Sequence, residues 1–230
     1  MKLLLENWRK YLTRTRNIPN DIHPKIKKQI KNLLALPSRV VIAIREIEDD
    51  WWQIKYEGHE AEDTYGARAD GEIQIIGDLD PNFQEPCEGG YIVYASRATQ
   101  GWGPLLYEIA IEFASLKGNG LTPDRGNVSA EAIAVWDKYG KRPDVTKKQL
   151  DIGHGDFWWQ KKKIYLPNGE PVSHNEIPQI TPEYEYDDCD QSMALKWGGY
   201  EWENTPHSKL YSKKTMPVIQ FLDKVKRLKY

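Results

Sequence analysis

Apolar residues recur along this chain with two distinct periods. Between residues 39 and 96 they gather in short β-branched and aromatic runs: "RVVIAIREI" (39–47), "WWQIKYEG" (51–58), "GEIQIIG" (71–77) and "YIVYAS" (91–96). Runs of this length, separated by turn-forming residues, predict four strands. From Pro104 the spacing changes. Leu105, Leu106, Ile109, Ala110, Phe113, Ala114 and Leu116 follow a helical period, with Pro104 suited to the first turn and Gly118 and Gly120 marking the stop. "GLTPDRG" (120–126) predicts a short strand or turn. "SAEAIAVWDKYG" (129–140) predicts a second helix, with Ser129 as its N-cap and Gly140 as its end.

The two ends of the chain read differently. Residues 1–12 predict a short helix with Leu4, Leu5, Trp8, Tyr11 and Leu12 near one face. "TRTRNIPNDIHP" (13–24) is polar, holds two prolines and reads as a linker. "HPKIKKQIKNLLALP" (23–37) predicts a basic amphipathic helix carrying Ile26, Ile30, Leu33 and Leu34 on its apolar side, stopped by Pro37. The organisation expected is therefore an N-terminal helical appendage with linker (1–37) and one main α/β (α+β) domain with a C-terminal extension (38–230). Within the extension, "DFWWQKKKIYLP" (156–167) reads as a strand pair and "MPVIQFLDKVKRLKY" (216–230) as a basic helix.

Composition narrows the function classes. Lys+Arg (32) nearly balances Asp+Glu (34), a formal charge of −2, so no global field draws the chain to nucleic acid or acidic lipid. The basic stretches "SKLYSKK" and "DKVKRLKY" read as solvated helix faces, and the acidic "EYEYDDCD" (183–190) as a solvated turn. No apolar run reaches the ~20 residues of a membrane span, and the apolar stretch at the start is too short for a signal peptide. Cys87 and Cys189 lie far apart, which fits a reduced, cytoplasmic setting. His23, His59, His154, His174 and His207 show no ligand spacing, so no metal is expected.

Candidate chemistry concentrates at Thr99-Gln100-Gly101-Trp102-Gly103. A Gly-x-Gly turn between a strand and a helix presents backbone N–H groups at the positive end of the helix dipole, an arrangement that receives phosphate or pyrophosphate. The donors are the amides of Gln100, Gly101, Trp102 and Gly103. An unliganded turn that merely starts a core helix is the plain alternative.

Residues 39–140 resemble the GCN5-related N-acetyltransferase fold. That family binds acetyl-CoA with a loop of the form Gln/Arg-x-x-Gly-x-Gly/Ala after its fourth strand, and Ala98-Thr99-Gln100-Gly101-Trp102-Gly103 stands at that place, with Leu106 where the family carries leucine. The family's later Asn-x-x-Ala-x-x-x-Tyr reads here as Ser129-x-x-Ala132-x-x-x-Trp136, followed by Tyr139. "GWGPLLYEIAIEFA", "GLTPDRGNVSAEA" and "DDCDQ" further resemble a group of tailed-bacteriophage proteins with this fold.

The resemblance implies a mixed, mostly antiparallel, twisted sheet flanked by helices. It implies acetyl-CoA at Thr99–Gly103 and Trp136, and direct transfer of the acetyl group to an amine, in the cytoplasm of a host cell. Ala98 departs from Gln/Arg. Trp136 replaces the tyrosine that protonates the leaving thiolate, and an indole N–H cannot serve as that acid. Tyr139, one helical turn on, becomes the candidate acid. Glu72, Asp78, Asp80, Glu85 and Glu88 are the carboxylates available as base, of which Glu72 is taken as the candidate. The alternative is a non-catalytic protein of this fold, a virion component or host-interaction module, which docks a protein partner through residues 1–12.

Overall fold

The computed structural model of the chain describes residues 17–58, 69–77, 89–123, 129–150 and 206–230. Among them are four α-helices and eight strands: α1 (Pro24–Ala35), β1 (Val41–Glu48), β2 (Trp51–Glu57), β3 (Gly71–Ile76), β4 (Tyr91–Ala98), α2 (Gly103–Lys117), β5 (Leu121–Thr122), α3 (Ala130–Gly140), β6 (Thr146–Gln149), β7 (Lys209–Ser212), α4 (Pro217–Lys224) and β8 (Leu228–Lys229). The strands form one mixed sheet in the order β6-β7-β5-β4-β3-β2-β1-β8. β1 pairs antiparallel with β2 and parallel with β8. β4 pairs parallel with β5, while β7 runs antiparallel to both β5 and β6. The expected helix at 1–12 and strand pair at 156–167 lie outside the described residues, as do both cysteines and the acidic run 183–190. No helix among the described residues is long and apolar enough to cross a membrane.

The chain divides into two compact units. The first comprises Met1–Ile75, Tyr94–Phe113 and Thr215–Tyr230. Its β1–β2 hairpin turns on Asp49-Asp50, with Asp50 in the left-handed region (φ 51°), a conformation an Asp tolerates better than most side chains. Ile54 and Tyr56 of β2, and Ile73 and Ile75 of β3, alternate into the core. Ile42, Ala43 and Ile44 of β1 are buried without alternation. Helix α1 belongs to this unit, with Ile26, Ile30, Leu33 and Leu34 buried; Ile18 and Ile22, within the stretch read as a linker, are buried too.

Helix α2 departs from the amphipathic reading. Every residue from Leu105 to Ala114 is buried, including Glu108 and Glu112, whereas Leu116 is exposed. A helix enclosed on all sides needs apolar surface all round and partners for any charge it carries.

The C-terminal segment also corrects its expectation. The helix stops at Lys224 instead of running to Tyr230. Lys226 adopts φ 58°, and the chain then enters β8 beside Ile42 and Ala43 of β1. The turn is fixed by Arg227, whose buried guanidinium donates to the carbonyls of Leu36 (2.6 Å), Pro37 and Val40.

The second unit comprises Ile76–Val93 and Ala114–Lys214. Ser129 caps α3 as expected, its hydroxyl accepting the Ala132 amide (3.2 Å). Within "SKLYSKK", Lys209–Ser212 form strand β7 where a helix face was expected. Leu210 and Tyr211 are buried side by side, without alternation, and Lys213 is buried as well.

Candidate functional site

The segment after β4 folds into a tight turn. The Trp102 amide donates to the Thr99 carbonyl (3.0 Å), closing a four-residue turn with Gly101 at its third position and φ 89°. That dihedral at that position defines a type II turn, which favours glycine. Gly103 is different. It opens α2 without positive φ, and a Cβ there would meet only the Ala98 side chain at an ordinary 3.5 Å.

Three further bonds hold the turn from the protein side. Thr99 donates its amide to the Asp70 carbonyl (2.9 Å). The phenol of Tyr56, on β2, donates to the Trp102 carbonyl (3.0 Å), and its ring meets the Trp102 indole edge-on at 5.4 Å. Burial raises the Tyr56 pKa well above the usual phenol range, so this hydroxyl stays a donor. The side-chain amide of Gln29, on α1, donates to the Gly101 carbonyl. Of the four amides expected to face a ligand, Trp102's is therefore spent inside the turn. Those of Gln100, Gly101 and Gly103 make no backbone hydrogen bond among the described residues.

Strand β4 carries a second feature. Trp51 and Gln53 stand two apart on β2 and so share one face. Tyr94 packs edge-on against Trp51 (4.7 Å, 67°). Arg97 donates to Glu72 (3.1 Å), whose other oxygen accepts from Gln53 (2.9 Å). Ser96 instead bonds the Tyr107 hydroxyl of α2 (2.8 Å), on the face where Trp52 meets Phe113. Tyr94 and Ser96 should share a face and do not. Alternation is broken between them, as an extra residue in a strand would break it.

The other candidates fall in two places. Glu72 stands on β3 of the first unit with both oxygens engaged by Arg97 and Gln53. Thr99–Gly103 also belong to the first unit, and Trp136 and Tyr139 to the second. Trp136 is 1% exposed, with its ring 4.9 Å from Tyr211 and 6.2 Å from Tyr139. Tyr139 is buried and lies under the Arg142 guanidinium (4.9 Å). Both are buried within their unit. Asp78, Asp80, Glu85 and Glu88 lie outside the described residues. No cluster of His, Cys, Asp and Glu suited to a metal occurs among the described residues.

Gln29 and Tyr56 are the residues that sequence reading missed. Gln29 had a signal: it is the polar member of the stripe Ile26, Gln29, Ile30, Leu33 on a helix face that turns inward. Tyr56 had none, since its partner is a backbone carbonyl 46 residues away.

No protein-family model matches the chain, and no curated protein or solved structure matches it.

Proposed function

We propose that the chain is an acetyl-CoA-dependent N-acyltransferase of the GCN5-related fold, transferring an acetyl group to an amine. The observation that carries this reading is the anchored turn between β4 and α2. It comes after the fourth strand, opens a buried helix, and leaves the amides of Gln100, Gly101 and Gly103 without backbone partners among the described residues. Amides so grouped at a helix N-terminus suit the pyrophosphate of CoA. Acetyl-CoA would supply an activated thioester carbonyl. The break in β4 supports the reading as well, because a strand interrupted there would free a backbone N–H, the kind of fixed donor that polarises a carbonyl. As the new C–N bond forms, the thioester C–S bond breaks: the amine loses a proton, and the leaving CoA thiolate takes one up from water. Glu72 would take the amine's proton through a lone pair left open by its bonds to Gln53 and Arg97, with positioning supplying much of the rate.

A non-catalytic protein of the same fold is the second reading. The burial of Tyr139, the candidate acid, favours it. Calorimetry with acetyl-CoA separates the two. Binding in the micromolar range, abolished by Gly103→Glu, is the outcome expected of an acyltransferase. Absence of binding in the unsubstituted protein would sink that reading and leave the non-catalytic one.

A further inference from the structure

The turn is aimed by two buried side chains that lie outside it. A trans peptide points its C=O and its N–H in opposite directions, and no cis peptide is present among the described residues. The peptide joining Trp102 to Gly103 has its carbonyl bound by the Tyr56 phenol on the protein side. Its N–H, that of Gly103, therefore points away from Tyr56. The peptide joining Gly101 to Trp102 has its carbonyl bound by Gln29, which fixes the other half of the turn. The peptide joining Thr99 to Gln100 has its carbonyl turned to the Trp102 amide, which sends the Gln100 N–H outward in the same way.

Gln29 is a costly residue for this task. It is 8% exposed on the apolar stripe of α1, and its Oε1 is buried without a hydrogen-bond partner among the described residues. A buried, half-satisfied amide destabilises a fold relative to an apolar side chain of the same shape. Such a half-satisfied polar group, bonded to the turn, is the kind of cost expected at a functional site.

We infer that Tyr56 and Gln29 are positioning residues: they orient the Thr99–Gly103 turn so that it receives a pyrophosphate-bearing ligand. This rests on the acyltransferase reading. It adds that affinity for the charged part of the ligand is set from β2 and α1, not from the turn alone.

The test uses the full chain, Tyr56→Phe and Gln29→Met, and two ligands: acetyl-CoA and S-acetylpantetheine, which lacks the pyrophosphate. Tyr56→Phe is expected to weaken acetyl-CoA about tenfold, the scale of one charge-assisted hydrogen bond, and to leave S-acetylpantetheine unchanged. Gln29→Met is expected to weaken acetyl-CoA while holding or raising the melting temperature, a combination that a merely structural residue does not give. Equal losses for both ligands, or a Gln29→Met protein that melts lower and binds normally, overturn the inference. A third measurement is independent of the acyltransferase reading: the Gly103 amide resonance, followed by NMR with inorganic pyrophosphate. It should shift in the unsubstituted protein and stay still in Tyr56→Phe. If acetyl-CoA fails to bind but Gly103 responds to pyrophosphate, the acyltransferase reading falls and the aimed turn stands. If Gly103 does not respond, the aimed turn falls.

Discussion

The carboxylate of Glu112 receives the backbone amide of Ile219 at 2.9 Å, and that of Val218 at 3.0 Å. Glu112 is 0% exposed, in the middle of α2. Val218 and Ile219 stand in the first turn of α4, whose N-cap Met216 makes no side-chain cap hydrogen bond among the described residues. A glutamate on one helix thus does for another what a Ser or Asp at its own N-cap would do. The negative charge also sits at the positive end of the α4 dipole.

Removing that carboxylate strands two buried donors. Glu112→Ala is expected to cost about 3 kcal/mol or more, since a hydrogen bond to a charged group contributes roughly 1.5–3 and its loss leaves amides unsatisfied. Glu112→Gln keeps one acceptor and should cost about half as much. Urea midpoints at constant m would measure both. An alanine variant as stable as the original would mean that water reaches the α4 N-terminus.

The two glycines of the turn should respond oppositely to a methyl group. Gly101 has open space around a Cβ but a φ of 89°, so Gly101→Ala is expected to cost about 1–2 kcal/mol through backbone strain alone. Gly103 has neither positive φ nor a crowded Cβ, so Gly103→Ala should be neutral or stabilise the helix start by up to about 1 kcal/mol. Thermal melts of the two variants would show the difference. Equal losses would mean that Gly103 also adopts a backbone geometry only glycine tolerates.

Strands β1 to β4 were legible in the sequence because β-branched runs broken by turn residues have one common cause. The turn was legible because Gly-x-Gly before Pro104 is a local signature. β6 and β7 were not: "TKKQ" is exposed over most of its length and shows no period-2 burial, so only its partner β7 makes it a strand. Burial of Glu112 was illegible for a related reason, since its partners come 106 and 107 residues later. The same holds for Gln29, whose bond spans 72 residues. Local pattern reports which backbone a segment prefers. It does not report which distant amide or carbonyl will excuse a polar side chain from solvent.

Acid should loosen the second unit at Asp144. Partial burial works against its charge, but the hydrogen bond and charge of Arg142 and the charge of Lys213 prevail and hold its carboxyl below the ordinary value of 3.8. Arg142 donates to Asp144 at 2.9 Å, and the Lys213 ammonium lies 3.7 Å away. Because the folded-state pKa is depressed, this stabilisation is fully present above the unfolded value. It disappears as pH falls through the folded one. The window is therefore below about pH 4. Asp144→Asn should lower stability at pH 7 and flatten the acid limb of a stability–pH curve. An unchanged acid limb would place the linkage on other carboxylates.

Arg227 should prove the least replaceable residue of the C-terminal segment. Its guanidinium reaches the carbonyls of Leu36, Pro37 and Val40, at and just beyond the end of α1, where helical carbonyls lack intrahelical donors. Its own backbone ties in as well: its amide donates to the Leu222 carbonyl (2.8 Å) and its carbonyl accepts from Ile42 (2.9 Å). Lysine offers a compact ammonium in place of a planar fork and cannot span those acceptors at once. Arg227→Lys is therefore expected to cost about 2 kcal/mol, and Arg227→Ala about 3–4, through loss of the donors to Leu36 and Val40. Hydrogen exchange would locate the damage. Amides of α1 and of β1 near Ile42 should lose protection together, because one side chain serves the end of the helix while its backbone serves the strand. Loss of protection confined to residues after Lys224 would show that α1 holds its C-terminal end without help from Arg227.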